Sequence, residues 1–189
     1  MPGDWDDGDV LIYDKGLKAY RANWKKVGSI ASDKRVYDIA RCNSTFIVGT
    51  EEPSKPPAGK FALVADMELE KISDLYCGYV NAYSVNHVIV RDTQRGLGIG
   101  IQLYRFIAKS GISLISDDTQ YFGARALWSR LSQQIDMVVD VIDTDKRSVI
   151  AKGVRLHQGN IDSDFDKTYW SYNIHDGMRN IRFVLREIS

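Results

Sequence analysis

The stretch RDTQRGLGIG, residues 91–100, places three glycines within five positions. An apolar run, VIV at 88–90, precedes it, and a helical pattern, IQLYRFIAKSG at 101–111, follows it. Glycine costs backbone entropy at such a junction, unless the chain needs a backbone conformation or a close approach that other residues prevent. The stretch therefore predicts a turn between a strand and a helix whose bare backbone receives a ligand.

The start of that helix favours an anion. The first amides of a helix have no partners inside it, and the aligned peptide dipoles add partial positive charge there. Glycines at 96, 98 and 100 allow a phosphate to approach the backbone, and Arg95 adds a cation. The spacing fits neither the G-x-G-x-x-G fingerprint nor a P-loop. We therefore predict a ligand that carries a diphosphate, with a purely structural turn as the alternative.

Composition limits the class of protein. The 189 residues, 44% of them hydrophobic, suit one domain over residues 1–189 with a substantial core. Lysine plus arginine and aspartate plus glutamate number 25 each, so no basic field favours nucleic acid or an anionic membrane. No apolar run approaches the ~18 residues of a membrane span. Cys42 and Cys77 lack metal-ligand spacing, and the acidic start lacks a signal-peptide pattern, so we expect a cytoplasmic protein without a metal.

Outside the glycine stretch, apolar spacing predicts the elements. Residues 10–27 are predicted to contain a helix carrying Leu17, Tyr20 and Trp24, and VYDIARC at 36–42 a second one. The three prolines of EEPSKPPAGK, residues 51–60, predict a loop. The predicted strands are FIVGT at 46–50, FALVADMELE at 61–70, YVNAYSVNHVIV at 79–90, GISLIS at 111–116 and NIRFVLREI at 180–188.

Two more helices and a hairpin complete the prediction. The helix after the glycines has one apolar face, made by Ile99, Leu103, Phe106 and Ile107. The next helix is expected to be capped by Asp117, Asp118 or Thr119 and to bury a stripe of Ala124, Leu127, Trp128 and Leu131. MVVDVIDTDKRSVIAKGV at 137–154 predicts a hairpin around TDKR.

The glycine stretch resembles the acyl-CoA loop of the GNAT superfamily of N-acetyltransferases, whose pattern is Arg/Gln-x-x-Gly-x-Gly/Ala. Arg95, Gly98 and Gly100 match that pattern, and Gly96 and Ile99 are common choices in it. The resemblance covers roughly residues 80–135, through the strand ISLIS and the helix ARALWSRL. It implies an α/β fold with a mixed, mostly antiparallel sheet, splayed central strands and helices on both faces.

The resemblance also implies a ligand and the residues that hold it. Acetyl-CoA would be the co-substrate, its diphosphate bound by the amides from Arg95 to Gly100, and its pantetheine arm paired with the strand at 88–90. The implied binding residues are Val88, Val90, Arg95, Gly96, Leu97, Gly98, Ile99 and Gly100.

Acetyl transfer to an amine requires a base and a donor that protonates the leaving thiolate. Many GNAT members carry a glutamate on the strand before the loop, and this strand has none, so His87 is a candidate because imidazole exchanges protons near neutral pH. Asp66, Glu68 and Glu70 share one face of the preceding strand and are further candidates. The family's tyrosine, in a Leu-Tyr pair, is here Trp128, which leaves Tyr121 or Ser116 as the acid.

We therefore predict an N-acetyltransferase that acts on an amine, such as a protein lysine, and is a monomer or homodimer. The segment SDDTQYFGARALWSRL at 116–131 is similar to phage-encoded GNAT-like proteins, which would make a host protein the acceptor. Two alternatives stay open. One is an inactive GNAT-fold module that inhibits or redirects a partner protein, and the other is an acetyltransferase for a small amine such as a polyamine.

Two other patterns are interpreted as structural. DSDFDK at 162–167 imitates the start of a calcium loop, but Lys167 replaces the required glycine. His157 and His175 are too scattered to predict a metal site. The aromatic and basic run at 168–183 suggests stacking on nucleic acid, yet the neutral net charge argues against that partner.

Overall fold

The computed structural model describes residues 10–14, 17–22, 24–51, 60–117, 122–155 and 180–188. These residues have an α/β fold in which a large, mostly antiparallel sheet is accompanied by two α-helices. Contacts divide the chain into two compact units, the first of Met1–Leu69 with His87–Leu103 and the second of Glu70–Asn86 with Tyr104–Ser189. The prediction of one domain over residues 1–189 stays a prediction.

The described strands and helices follow one another along the chain, and two strands, β6 and β7, contribute residues to both units. They are β1 (Val10–Asp14), β2 (Leu17–Ala22), β3 (Lys25–Ser32), β4 (Arg35–Cys42), β5 (Thr45–Glu51), β6 (Lys60–Tyr76), β7 (Tyr79–Val90), α1 (Ile99–Lys109), β8 (Ser113–Ile115), α2 (Phe122–Ser132), β9 (Met137–Asp143), β10 (Ser148–Ala151) and β11 (Ile181–Glu187).

The first unit contains an antiparallel ladder in which β4 pairs with β3 and β5, and β5 also pairs with β6. β1 pairs in parallel with β6 and antiparallel with β2. The last residues of β7, His87–Val90, lie beside β6, and no described residue of this unit pairs with their other side. The predicted strands at 46–50, 61–70 and 79–90 are confirmed as β5, β6 and β7.

Both helices predicted before residue 45 are wrong, because β2, β3 and β4 occupy this part of the chain. Their apolar residues fit a strand period as well as a helical one. The deciding signals are two-residue hairpin turns, which the sequence reading missed because neither contains glycine. Asp33 and Lys34, with φ of 46° and 62°, join β3 to β4, and Asn43, with φ of 53°, lies between β4 and β5. Positive φ at such positions gives a twist that matches paired strands.

In the second unit, β8 runs parallel to β7 over three residue pairs, Ala82 to Ser84 against Ser113 to Ile115. β11 pairs antiparallel with both β8 and β9, and β10 follows β9 in the predicted hairpin. All three residues of β8 are buried, as its apolar sequence predicts. The predicted strands at 111–116 and 180–188 and the hairpin at 137–154 are confirmed.

Both helices after the glycine stretch are confirmed as α1 and α2. Ile99, Leu103 and Ile107 are buried along α1. On α2, Trp128 is 2% exposed, and its ring centroid lies 5.7 Å from that of Tyr104 and 5.8 Å from that of Phe183. Trp128 is therefore a core residue, as its place in the predicted buried stripe of this helix indicates.

Several predictions fall outside the described residues. They concern the loop at 52–59, the helix cap at Asp118 or Thr119, Tyr121, the acidic run at 162–167, and His157 and His175. Within the described part of the chain, neither 11-residue helix has the length and apolarity needed to cross a membrane.

Candidate active site

The glycine turn, residues 91–100, has the backbone that its sequence predicts. It opens with a single 3₁₀ turn, Asp92–Gln94, in which the Gln94 amide donates to the Arg91 carbonyl at 2.8 Å. Gly96 and Gly98 then have φ of +82° and +79°. Residues with a Cβ rarely adopt such angles, so both glycines are needed for the path of the chain.

The glycine turn leads directly into α1, whose first amides have no acceptor among the described residues. The Gln102 amide donates to the Gly98 carbonyl at 3.0 Å, which makes Gly98 the residue before the first helical turn. Among the described residues, the amides of Ile99, Gly100 and Ile101 have no acceptor, and the first turn of α1 contains no acidic residue. Donors and helix dipole together favour an anion at this point.

Two side chains fix the turn without filling it. The Ser32 hydroxyl donates to the Leu97 carbonyl, which ties the middle of the turn to the end of β3. The Arg95 side chain is 69% exposed, with Nη2 3.0 Å from Asp92 Oδ1 and Nε donating to the Val90 carbonyl at 3.2 Å. The Arg95 cation therefore lies over the residues that link β7 to α1 and is accessible to an anion in solvent.

A cleft of about 900 Å³ lies in the first unit beside the turn. Its lining combines the ends of β6 and β7, the connection between β4 and β5, and residues 91–93 and 95 of the turn. The cleft has an apolar floor, in which Trp24 and Ile47 are buried and Cys42 and Leu63 pack against them. At its edge, Arg91 is held by a bond from Nε to the Leu63 carbonyl at 2.8 Å.

His87, in the lining of the cleft, lies between two carboxylates, and we call these three residues the histidine cluster: Asp66, Glu68 and His87. His87 Nε2 lies 2.8 Å from Asp66 Oδ2, and His87 Nδ1 lies 3.3 Å from Glu68 Oε2. Asp66 and His87 line the cleft. A protonated imidazole can donate to both carboxylates at once, whereas a neutral ring donates to one and keeps a lone pair on the other nitrogen.

The two carboxylates differ in their exposure and in their distance from the imidazole of His87. The Asp66 side chain is 24% exposed and makes the shorter contact, so it orients the imidazole. The Glu68 side chain is 47% exposed and more distant, so it can move away from Nδ1. An imidazole held by Asp66 through Nε2–H then presents Nδ1 as a proton acceptor, the arrangement that a general base requires.

The structure brings three of the predicted residues together in the first unit, and two others belong to the second unit. His87 contacts both Asp66 and Glu68, because alternate residues of β6 share a face as expected. Glu70 belongs to the second unit and is exposed. Ser116 also belongs to the second unit, where it is 2% exposed and its hydroxyl accepts a bond from the Phe183 amide at 3.0 Å. That bond ties Ser116 to β11. The role of Ser116 as the acid stays a prediction.

The floor of the cleft was missed by sequence reasoning. Trp24 was assigned to a helix, and Cys42 and Leu63 had no motif that marked them. The pairing of β4, β5 and β6 places Cys42, Ile47 and Leu63 on neighbouring strands, and Trp24 packs with them. The signal was the pair of hairpin turns at 33–34 and 43–44, because these turns place β3, β4 and β5 side by side.

Comparison of the chain with protein-family models, with curated proteins and with solved structures finds no match. Among the described residues, no group of three or more histidine, cysteine, aspartate or glutamate side chains is arranged to hold a metal ion.

Proposed function

We propose that this protein is an acetyl-CoA-dependent N-acetyltransferase that acts on a primary amine, with a protein lysine as the acceptor. The observation that carries the proposal is the glycine turn, which supplies free amides at the positive end of α1 beside an exposed arginine. This arrangement suits a diphosphate, and the spacing of Arg95, Gly98 and Gly100 is that of the GNAT acyl-CoA loop.

In this proposal, CoA binds along the first unit. Its diphosphate accepts bonds from the amides of Ile99, Gly100 and Ile101 and pairs with Arg95. The pantetheine arm forms backbone bonds with residues 88–90 of β7, whose outer side has no described partner within this unit. Splayed central strands and helices on both faces belong to the same proposal.

The chemistry then requires that the acceptor nitrogen lose two protons, one before its attack and one after it, and that the leaving thiolate gain one. His87, held through Nε2 by Asp66, accepts the proton of the acceptor ammonium at Nδ1, directly or through water. The neutral amine attacks the thioester carbonyl carbon, the C–S bond breaks, and the nitrogen gives up its second proton while the leaving thiolate takes one, directly or through solvent. The products are an N-acetylated amine and free CoA.

Release of CoA thiol from acetyl-CoA tests this proposal, with a lysine-rich protein as the acceptor. We expect thiol release that depends on acceptor, with Arg95→Glu raising the KM for acetyl-CoA by about tenfold and leaving kcat within about twofold. The reason is that Arg95 would bind the diphosphate equally in the ground and transition states. Arg130→Glu, an equal charge reversal at an exposed position of α2, is the control and should leave both constants unchanged.

The absence of turnover would favour the second candidate, a GNAT-fold module that binds a partner protein. Its specific support is Trp128, which stands at the sequence position of the family's tyrosine. That tyrosine would protonate the thiolate, whereas Trp128 is buried in the core. CoA binding without thiol release, with any of several lysine-containing acceptors, is the result that this module predicts.

A further inference from the structure

The histidine cluster contains one more carboxylate than its single imidazole can neutralise. Asp66 and Glu68 contribute two carboxylates to the histidine cluster, and one imidazole can neutralise at most one of them. The histidine cluster therefore keeps a negative charge whether His87 is protonated or neutral, and Asp66 is the carboxylate of this cluster that lines the cleft. Of the two cations in the lining, Arg95 pairs with Asp92 and also donates to the Val90 carbonyl. Arg91 donates to the neutral Leu63 carbonyl and keeps its positive charge at the edge of the cleft.

Below this charge, the surface is apolar. Trp24 is 5% exposed and Ile47 is 1% exposed, and Leu63 and Cys42 pack against them. Such a floor favours the methylene groups of a ligand, because their burial removes apolar surface from water, and it disfavours a second charge. Trp24 adds a polar group, because its indole N–H has no acceptor among the described residues. A donor in the cleft wall that lacks an acceptor suits a ligand with a carbonyl oxygen.

From these three features we infer that the cleft is the acceptor site, and that it selects a primary ammonium on an apolar four-carbon stem that is attached to a peptide. The ammonium lies against Asp66 and donates toward His87, the methylenes cover the partly exposed Leu63 and Cys42, and the peptide carbonyl lies on the Trp24 side. Asp66 is thus the residue that distinguishes a lysine side chain from a neutral one. The inference rests on the proposed function for its chemistry, but the binding it describes needs no CoA.

Selectivity follows from the same features. A polyamine such as spermidine carries further cations along its stem, and these would have to be buried on the apolar floor at a large cost in desolvation. Norleucine has the same four-carbon stem but no charge. It can therefore pack on the apolar floor but cannot form an ion pair with Asp66. The expected order of affinity is therefore the lysine compound first, with the norleucine compound and spermidine both weaker.

Alkylation of Cys42 provides the test, because Cys42 lines the cleft and is partly exposed. Cys77 belongs to the second unit and is also partly exposed, so it serves as the reference within each sample. Burial raises the pKa of the Cys77 thiol, which slows its reaction but does not alter its use as a reference. Iodoacetamide labelling of the whole protein is followed by mass spectrometry, without CoA, in the presence of Nα-acetyl-lysine methylamide.

At twice its Kd the lysine compound should slow Cys42 alkylation about threefold, since two thirds of the sites are then occupied, and leave Cys77 unchanged. The norleucine analogue and spermidine should protect less at equal concentration. Asp66→Asn should remove the difference between the lysine and norleucine compounds, whereas Asp38→Asn, which removes a carboxylate outside the cleft, should keep it.

Equal protection by spermidine, or no protection by the lysine compound, would overturn the inference. So would an undiminished preference for the lysine compound in Asp66→Asn. Because the labelling contains no CoA, failure of acetyl transfer leaves this result standing. Conversely, acetylation of lysine without protection of Cys42 would refute the acceptor site and keep the enzyme.

Discussion

Replacement of Gly100 by aspartate should weaken CoA binding by at least about 30-fold while the fold becomes no less stable. Gly100 lies in the first turn of α1. There a carboxylate interacts favourably with the helix dipole by about 0.3–1 kcal/mol, and replacing glycine removes a propensity cost of up to about 1 kcal/mol. The same carboxylate would lie within a few ångströms of the diphosphate, where two like charges repel by about 2–4 kcal/mol at an effective dielectric constant near 20.

Gly100→Ala separates the charge from the shape. Alanine gives the same gain in helix propensity without the carboxylate, so we expect it to weaken CoA binding by less than about tenfold. Titration calorimetry measures the two affinities, and urea unfolding measures the two stabilities. Wild-type affinity in Gly100→Asp would show that no diphosphate binds at this helix start, and a large loss of stability in either variant would show that our view of the turn is wrong.

The largest effect on stability should come from Asp140→Asn, at about 3 kcal/mol. Asp140 is fully buried on β9, where one carboxylate oxygen accepts from Tyr79 Oη at 2.8 Å and from Arg186 Nε at 3.0 Å, and the other accepts from the Gly153 amide at 2.7 Å. Burial, and then the bond to Asp140, raise the pKa of Tyr79. Breaking a buried pair costs about 3–5 kcal/mol, and the partly exposed Arg186 places our value at the lower end.

Urea unfolding at neutral pH measures this cost. Asp145→Asn, at an exposed position of the turn after β9, is the matched control and should change the free energy of unfolding by less than about 0.5 kcal/mol. If Asp140→Asn costs less than about 1 kcal/mol, the three bonds to this carboxylate do not hold β9, β11 and the start of β7 together as the structure indicates.

The part of the fold from β5 onward was predictable because its signals agree with one another. Glycines at 96 and 98 have the positive φ that their sequence suggests, and the apolar spacing of Ile99, Leu103 and Ile107 belongs to a helix. The segment before β5 was not predictable in the same way. Its turn at Asp33 and Lys34 uses positive φ without glycine, so the tolerance of aspartate for such angles was the one weak mark of a hairpin there.

The candidate site shows the same limit. A shared face for Asp66 and Glu68 follows from the two-residue period of a strand. Their contact with His87 depends on the register of β6 against β7, which residue types alone do not fix. The floor made by Trp24 and Cys42 depends on strands that the sequence reading had assigned to helices. The binding turn was thus accessible from the sequence, and the cleft beside it was not.

Calorimetry of the wild-type protein with CoA and with pantetheine tests the central claim most directly, because pantetheine lacks the diphosphate. If the amides at the start of α1 bind that group, CoA should give a saturable heat and pantetheine should bind at least about tenfold more weakly, a difference of about 1.4 kcal/mol. No heat with CoA, or equal affinity for the two compounds, would contradict the account.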